Sequence, residues 1–141
     1  MAEARIIVDT GPLVAFLVAE DAHHAWAVDQ FRQLSAPFFT CEPVLTEAFH
    51  LVGRLSGGHG RMHDLLDAGV LVVDFDVMAS RQALRRHMDK YASLPMSLAD
   101  ACLVVMAEKH RRAPVFTVDQ HFRTYRKHRR EAIATVMPPG V

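Results

Sequence analysis

Short apolar runs alternate along the chain with longer stretches in which apolar residues recur at helical spacing. Five runs are rich in Val, Ile and Phe, and most of them are apolar on both faces, as is typical of strands covered on both sides. They are residues 5–9, 38–41, 70–75, 114–118 and 132–137. This pattern predicts five strands of one sheet that packs against other elements on both faces.

Six stretches between these runs follow the period of an α-helix. They are residues 12–18, 22–35, 43–56, 60–68, 77–91 and 98–112. Pro43 is suited to the first turn of its helix, the pair Gly57 and Gly58 is predicted to end that helix, and Gly69 to end the next one. Alternation of strands and helices favours a parallel sheet with helices on both sides. The sequence therefore predicts a single α/β domain over residues 1–141.

The composition is typical of a globular protein. Half of the 141 residues are hydrophobic and 23% are charged. The longest apolar run, residues 13–19, is too short to cross a bilayer, and we see no secretory leader, so we expect a cytoplasmic protein with no membrane partner. The two cysteines, Cys41 and Cys102, form no CxxC pair. We expect both to be reduced and buried, which disfavours a zinc ribbon or a disulfide framework.

Basic residues are concentrated towards the C-terminal end, although the formal net charge of the chain is zero. Eight of the 16 Lys and Arg residues lie between residues 109 and 130, against the single acid Asp119. Such a segment can bind a polyanion, or it can be the solvated face of a helix. The charge alone does not decide between these two interpretations.

Four acidic residues are placed in apolar surroundings. Asp9 ends the first strand in RIIVDTGP, and Asp119 follows the fourth strand in VFTVDQHF. Asp100 lies in the first turn of an apolar helix, and Glu47 lies one turn into another helix that we expect to be buried. Because ligands bind beyond the carboxyl ends of parallel strands, Asp9 and Asp119 should lie within a few ångströms of each other if their strands are neighbours.

Each acid also has a purely structural explanation. Asp9 can end a strand, Asp100 completes the S-x-x-D capping pattern with Ser97, and Asp119 can cap a short helix. An isolated buried carboxylate is nevertheless costly, by several kcal/mol in order of magnitude, and normally finds a positive partner. Few basic residues lie in these segments, so a metal ion is the alternative partner. A pocket of carboxylates suits Mg²⁺ or Mn²⁺ and hydrolysis of phosphodiesters, with the hydroxyls of Thr10 and Thr117 orienting water or capping turns.

Four motifs follow one another between residues 6 and 122. They are IIVDTGPLVAFL, LTEAFHLV, LPMSLADACLVVMAE and VFTVDQHF. In this order they resemble the PIN-domain family, and most closely its VapC-like branch, the toxin ribonucleases of type II toxin–antitoxin systems. Each motif is weak alone, but four in the right order over nearly the whole chain are a strong signal.

The resemblance implies a three-layer α/β/α sandwich around a central, mostly parallel five-stranded sheet, and a metal-dependent endoribonuclease that cleaves single-stranded RNA. It also implies a homodimer and a small antitoxin partner that enters the acidic cleft. The family's catalytic positions fall on Asp9, Glu47, Asp100 and Asp119, which would hold Mg²⁺ or Mn²⁺, and on the hydroxyls of Thr10 and Thr117. The fourth acid varies in importance in such proteins, so Asp119 can assist instead of ligating the metal.

An acidic pocket repels RNA, so a ribonuclease requires basic residues beside it. The candidates from the basic segment are Arg112, Arg123, Arg126, Lys127 and Arg129. Arg85, Arg86 and Lys90 form a second candidate patch on the preceding helix.

Three other functions are consistent with parts of the sequence. The E-x-x-H spacings at Glu20 and Glu47 occur in di-iron helix bundles, but the chain alternates strands with helices. Asp9 could be the nucleophile of a phosphatase, but the position two residues later, where such enzymes carry a second acid, is Gly11. The third alternative is a non-catalytic module of the same fold that binds RNA or a partner.

Overall fold

The computed structural model describes residues 5–141, so the first four residues of the predicted domain lie outside the described part. Residues 5–141 contain seven strands: β1 (Ile6–Val8), β2 (Phe38–Thr40), β3 (Leu71–Val73), β4 (Val115–Phe116), β5 (Arg126–Lys127), β6 (Glu131–Ala132) and β7 (Thr135–Val136). The helices are α1 (Thr10–Leu17), α2 (His24–Gln33), α3 (Glu42–Val52), α4 (Gly58–Asp67), α5 (Arg81–Lys90) and α6 (Leu98–Lys109), with a 3₁₀ turn at Gln120–Arg123.

Five of the strands form one parallel sheet in the order β3-β2-β1-β4-β7. Helices flank this sheet, so the predicted α/β/α sandwich with a central five-stranded parallel sheet is confirmed. The register between β1 and β4 matters most for function, because it places Val8 beside Phe116. The residues that follow these two strands therefore emerge side by side at one edge of the sheet.

The core explains why the strands and one helix are so apolar. Both Ile7 and Val8 of β1 are fully buried, and so are Val115 and Phe116 of β4. Helix α6 is buried at every position from Ala101 to Ala107, so it lies within the core. Both cysteines are buried and free, as predicted. Within residues 5–141 no helix is long and apolar enough to span a membrane.

The pair Gly57 and Gly58 begins a helix instead of ending one, contrary to the prediction. Helix α3 already stops at Val52, and Gly57 precedes α4 in a left-handed conformation at φ +72°. A Cβ on Gly58 would lie 2.0 Å from the carbonyl oxygen of Val52, so only glycine allows the two helices to approach so closely. Gly69, at φ +74°, follows α4 as predicted.

Two further predictions of local structure were wrong. The helix predicted over residues 12–18 begins earlier, at Thr10, because Asp9 caps that helix directly. The run 132–137 is divided between β6, which pairs with β5 in a separate antiparallel hairpin, and β7, which joins the main sheet. The hairpin turn contains His128 at φ +46° and Arg129 at φ +73°.

Candidate active site

Asp9 stands at the junction between β1 and α1, where two groups hold its carboxylate. One oxygen, Oδ1, accepts a hydrogen bond of 2.7 Å from the backbone N–H of Thr10, which caps the helix. The other, Oδ2, accepts a bond of 2.7 Å from the hydroxyl of Thr117. The residue is only 8% exposed. Asp9 is therefore both the cap that a folding argument predicts and a buried carboxylate held at the sheet edge.

The pairing of β1 with β4 brings Thr117 opposite Asp9. The backbone N–H of Asp9 donates to the carbonyl of Phe116 at 2.9 Å, which continues the ladder one residue beyond the strands. The Thr117 oxygen also accepts a bond of 3.0 Å from the N–H of Asp119. Asp119 in turn caps the 3₁₀ turn by accepting a bond from His121 N–H. The neighbouring strands are thus confirmed, and the hydroxyl of Thr117 links the two aspartates.

Gly11 is required by the same junction. A Cβ at this position would lie 2.3 Å from the Cγ2 atom of Val118, between Thr117 and Asp119. The first turn of α1 therefore lies so close to the end of β4 that any residue larger than glycine would have to displace the side chain of Val118.

Asp100 enters the site from the first turn of α6. Its N–H donates to the Ser97 hydroxyl at 3.0 Å, so the predicted S-x-x-D cap is present. Its Oδ2 accepts a hydrogen bond of 2.9 Å from the hydroxyl of Tyr125. Burial, followed by the bond to Asp100, raises the pKa of Tyr125 well above its ordinary value, so the phenol remains a donor.

Sequence reasoning missed Tyr125. It lies in the basic segment, where its neighbours drew attention to charge, yet it is fully buried. The available signal was a large aromatic residue with a hydroxyl in an otherwise polar stretch.

Glu47 differs from the other three acids because its side chain is exposed. The prediction that its helix is buried was wrong: Val44, Ala48 and Val52 form the inner face of α3, and Leu51 is 41% exposed on the outside. Glu47 Oε2 accepts a long hydrogen bond, 3.4 Å, from the hydroxyl of Thr10. Glu47 thus lies at the rim of the site and requires no buried partner.

The aspartates repel one another in the metal-free protein. Burial is the main cause that raises the pKa of Asp9 from 3.8 to about 7, and the charges of Asp100 and Asp119 add to it. Burial also raises the pKa of Asp100, with a further contribution from Asp119. Within residues 5–141 none of the four acids forms an ion pair with Lys or Arg, although His121 lies 3.4 Å from Asp119.

A family model for the PIN domain matches residues 6–128 of the sequence. The chain belongs to the PIN domain family. Comparison with curated proteins gives no match. PIN domains are generally nucleases that act on nucleic acid, usually with divalent metal ions, so the family and the acidic edge of the sheet indicate the same class of chemistry.

The donor set of this PIN domain fits a hard divalent cation. The available atoms are carboxylate and hydroxyl oxygens, which Mg²⁺ and Mn²⁺ prefer. A cation would also offset the repulsion that raises the pKa of Asp9 and Asp100. In the described part of the chain, no three Asp, Glu, His or Cys side chains are close enough together to enclose an ion. Asp9 and Asp100 would therefore hold the cation mainly with water, which is usual for Mg²⁺.

The basic residues predicted to contact RNA have different surroundings. Arg112 and Arg129 are exposed. Arg123 donates to the main-chain oxygen of Val141, and Arg126 donates to three carbonyls between residues 123 and 125.

Lys127 does not fit its predicted role. It is 3% exposed, its ammonium group donates to the carbonyl of Arg111 at 2.8 Å, and it lies 3.3 Å from the Glu131 carboxylate. Because this charge is used within the fold, Lys127 is a poor candidate for contacting RNA.

Proposed function

We propose that this PIN domain is an endoribonuclease that cleaves single-stranded RNA and depends on Mg²⁺ or Mn²⁺. One observation supports this above all: the buried, doubly hydrogen-bonded Asp9 lies at the carboxyl edge of the sheet, where the charges of Asp100 and Asp119 make its ionisation more costly. Buried carboxylates without a Lys or Arg partner destabilise a fold, and such groups are characteristic of functional sites.

The residues of the site would divide the work as follows. Asp9 and Asp100 would hold the cation, and Asp119 would support them or ligate it through water. Once bound, a divalent cation polarises the phosphoryl oxygen and lowers the pKa of a bound water. Thr117 orients the carboxylate of Asp9, and Tyr125 orients that of Asp100. Glu47, at the open rim, would accept a proton from water, and the buried Thr10, whose hydroxyl donates to Glu47, would orient that carboxylate.

The substrate strand requires positive charge outside the acidic edge. Arg112, Arg123, Arg126 and Arg129 are the candidates from the C-terminal segment, and Arg129 and Arg112 are the most available of them. Arg123 and Arg126 retain positive charge although their guanidinium groups also bind the main chain.

We also propose that the protein is the toxin of a toxin–antitoxin pair, cytoplasmic and homodimeric, as the VapC-like order of its motifs implies. A groove of about 540 Å³ beside Glu47 and Ser97 supports a protein partner, because Pro43, Val77 and Ala99 line part of it and Leu98 is 42% exposed there. A small antitoxin seated in this groove would reach the acidic edge.

Cleavage of a labelled single-stranded RNA tests the enzymatic part of the proposal. We expect cleavage in Mn²⁺ or Mg²⁺, none in excess chelator, and a loss of at least about a hundredfold in Asp9→Asn and Asp100→Asn. Asp29→Asn, an exposed change on α2, is the matched control and should retain full activity. Cleavage by Asp9→Asn at the wild-type rate would overturn the assignment. Absence of cleavage by the wild type, with RNA binding intact, would favour a non-catalytic binding module.

A further inference from the structure

A second cavity lies away from the acidic edge of the sheet. Its volume is about 460 Å³, within the usual range of small-ligand sites. The residues that line it come from α5, the end of α6 and the β5–β6 turn. They are Arg86, His87, Lys90, Glu108, His128 and Arg129.

We infer that this cavity is a phosphate-binding site, and that the phosphate belongs to the RNA strand whose hydrolysis is proposed above. Three basic side chains line it, those of Arg86, Lys90 and Arg129, against one carboxylate. Phosphate groups are bound in proteins by this combination of guanidinium and ammonium donors. The inference concerns this site alone and rests on the proposed function only for the identity of the strand.

Glu108 offsets only one of the three positive charges, and both of its oxygens are held by groups other than these cations. Oε1 lies 2.9 Å from Nε2 of His87, and Oε2 accepts a bond of 2.8 Å from the backbone N–H of His128. Although burial opposes its charge, these two hydrogen bonds lower the pKa of Glu108. An ionised carboxylate only accepts, so Nε2 of His87 carries the proton. Glu108 therefore orients His87 and anchors the hairpin.

The conformation of the β5–β6 turn fixes the position of the Arg129 backbone. Two consecutive residues, His128 and Arg129, have left-handed φ values of +46° and +73°. Residues other than glycine rarely adopt this conformation. Lys90 Nζ donates to the carbonyl of Arg129 at 3.0 Å, which fixes the far side of the turn and leaves two ammonium hydrogens. Unusual backbone held in place by neighbouring groups is characteristic of functional sites.

The cavity is connected to the acidic edge by a continuous segment. Tyr125 contacts Asp100 at the start of α6, and His128 contacts Glu108 near its end. Eight residues of helix separate these two points, so they are about 12 Å apart along the axis. This span corresponds to a few nucleotides, so one strand can reach both sites.

Two variants each remove one positive charge from the cavity and are chosen to leave the fold intact. Arg86→Gln changes an exposed position on α5, and Arg129→Gly replaces a left-handed residue by the one that adopts this conformation most easily. The matched control is Arg85→Gln, one residue earlier on α5. The sequence alone predicts Arg85 to belong to the same basic patch, but its side chain is 85% exposed, pairs with Asp89 and does not line the cavity, so we expect it not to bind this phosphate. Thermal unfolding of each variant verifies that it is folded.

The first measurement uses an uncleaved single-stranded RNA in excess chelator, with affinity followed by fluorescence anisotropy across a range of salt concentrations. We expect Arg86→Gln and Arg129→Gly each to weaken binding about tenfold. The slope of log K against log salt should fall by about 0.7 for each phosphate group that the variant no longer binds. Arg85→Gln should leave the affinity and the slope unchanged. If all three variants behave as the wild type does, the RNA strand is not the source of the phosphate.

The second measurement titrates inorganic phosphate into metal-free protein and follows the ring signals of His87 and His128 by NMR. Saturable shifts in the wild type and in Arg85→Gln, but not in Arg86→Gln, support the site. Absence of saturable shifts together with unchanged RNA binding overturns the inference. If these variants lose RNA binding but the wild type fails to cleave RNA in Mn²⁺, the proposed hydrolysis is wrong and the phosphate site stands.

Discussion

The carboxyl group of Asp9 must make the stability of the metal-free protein depend on pH. Its pKa is raised from 3.8 to about 7, chiefly by burial, even though hydrogen bonds from Thr117 and Thr10 oppose the change. A carboxyl group with a higher pKa in the folded state holds its proton more tightly when folded. The stabilisation that follows is complete below about pH 4, declines as the pH rises, and is lost above about pH 7.

The size of the effect follows from the two pKa values. They differ by about 3, and each unit corresponds to about 1.4 kcal/mol, so roughly 4 kcal/mol is lost across this range. Asp9 is almost completely buried, so screening by solvent reduces this figure little. A change of this size is a large fraction of the 5–15 kcal/mol that is typical of a folded domain.

Urea unfolding followed by circular dichroism in excess chelator measures the effect. Between pH 4.5 and pH 8.5, the free energy of unfolding of Asp9→Asn should rise by about 3 kcal/mol relative to the wild type, because the amide cannot ionise. Asp29→Asn is the control, and its curve should run parallel to that of the wild type. Added Mg²⁺ or Mn²⁺ should stabilise the wild type at pH 8.5 and should stabilise Asp9→Asn much less. Parallel curves for Asp9→Asn and the wild type would refute the reasoning.

Three further substitutions test the construction of the site and the fold. Gly11→Ala should cost about 1–3 kcal/mol and reduce RNA cleavage, because the new Cβ displaces Val118; unchanged stability and cleavage would contradict this. Gly58→Ala should destabilise the protein to urea by a similar amount, whereas Gly60→Ala, with open space around it in the same helix, should stabilise it by about 0.5–1 kcal/mol. Tyr125→Phe removes a hydrogen bond that lowers the pKa of Asp100, so the pH profile of cleavage should shift to higher pH; an unmoved profile would show that Tyr125 has only a packing role.

The main sheet could be predicted from the sequence because four of its strands lie in apolar runs long enough to be recognised, and the fifth, β7, is the last part of another such run. The acidic residues could be predicted for a related reason: Asp9 interrupts such a run, and Asp100 begins an apolar helix. Their position at one edge follows from the parallel order of β1 and β4. The pattern therefore identified the elements that the core stabilises, and the residues attached to their ends.

The rest of the structure depends on contacts that no local pattern encodes. The β5–β6 hairpin has no apolar alternation, and distant groups hold it in place: Glu108 accepts from His128 N–H, and Lys127 donates to the carbonyl of Arg111. The same contacts bury Lys127, which the charge of the segment alone would leave exposed.

In helix α3 the prediction failed in the opposite direction, because a residue expected to be buried is exposed. Its apolar residues occur on more than one face, so the sequence alone did not indicate which face packs on the sheet, and Glu47 was expected to be buried. The end of α3 was also misplaced, because the close approach of Gly58 to Val52 involves the backbone alone.

Counting bound Mn²⁺ tests most directly whether the carboxylates after β1 and at the start of α6 hold a divalent cation. The signal of free Mn²⁺ in electron paramagnetic resonance gives the number of ions bound and their affinity at pH 7.5. We predict saturable binding of at least one ion by the wild type and by Asp29→Asn, and affinities lowered at least about tenfold in Asp9→Asn and Asp100→Asn. Wild-type affinity in both of these variants, or no saturable binding by the wild type, would contradict a metal site at this edge of the sheet.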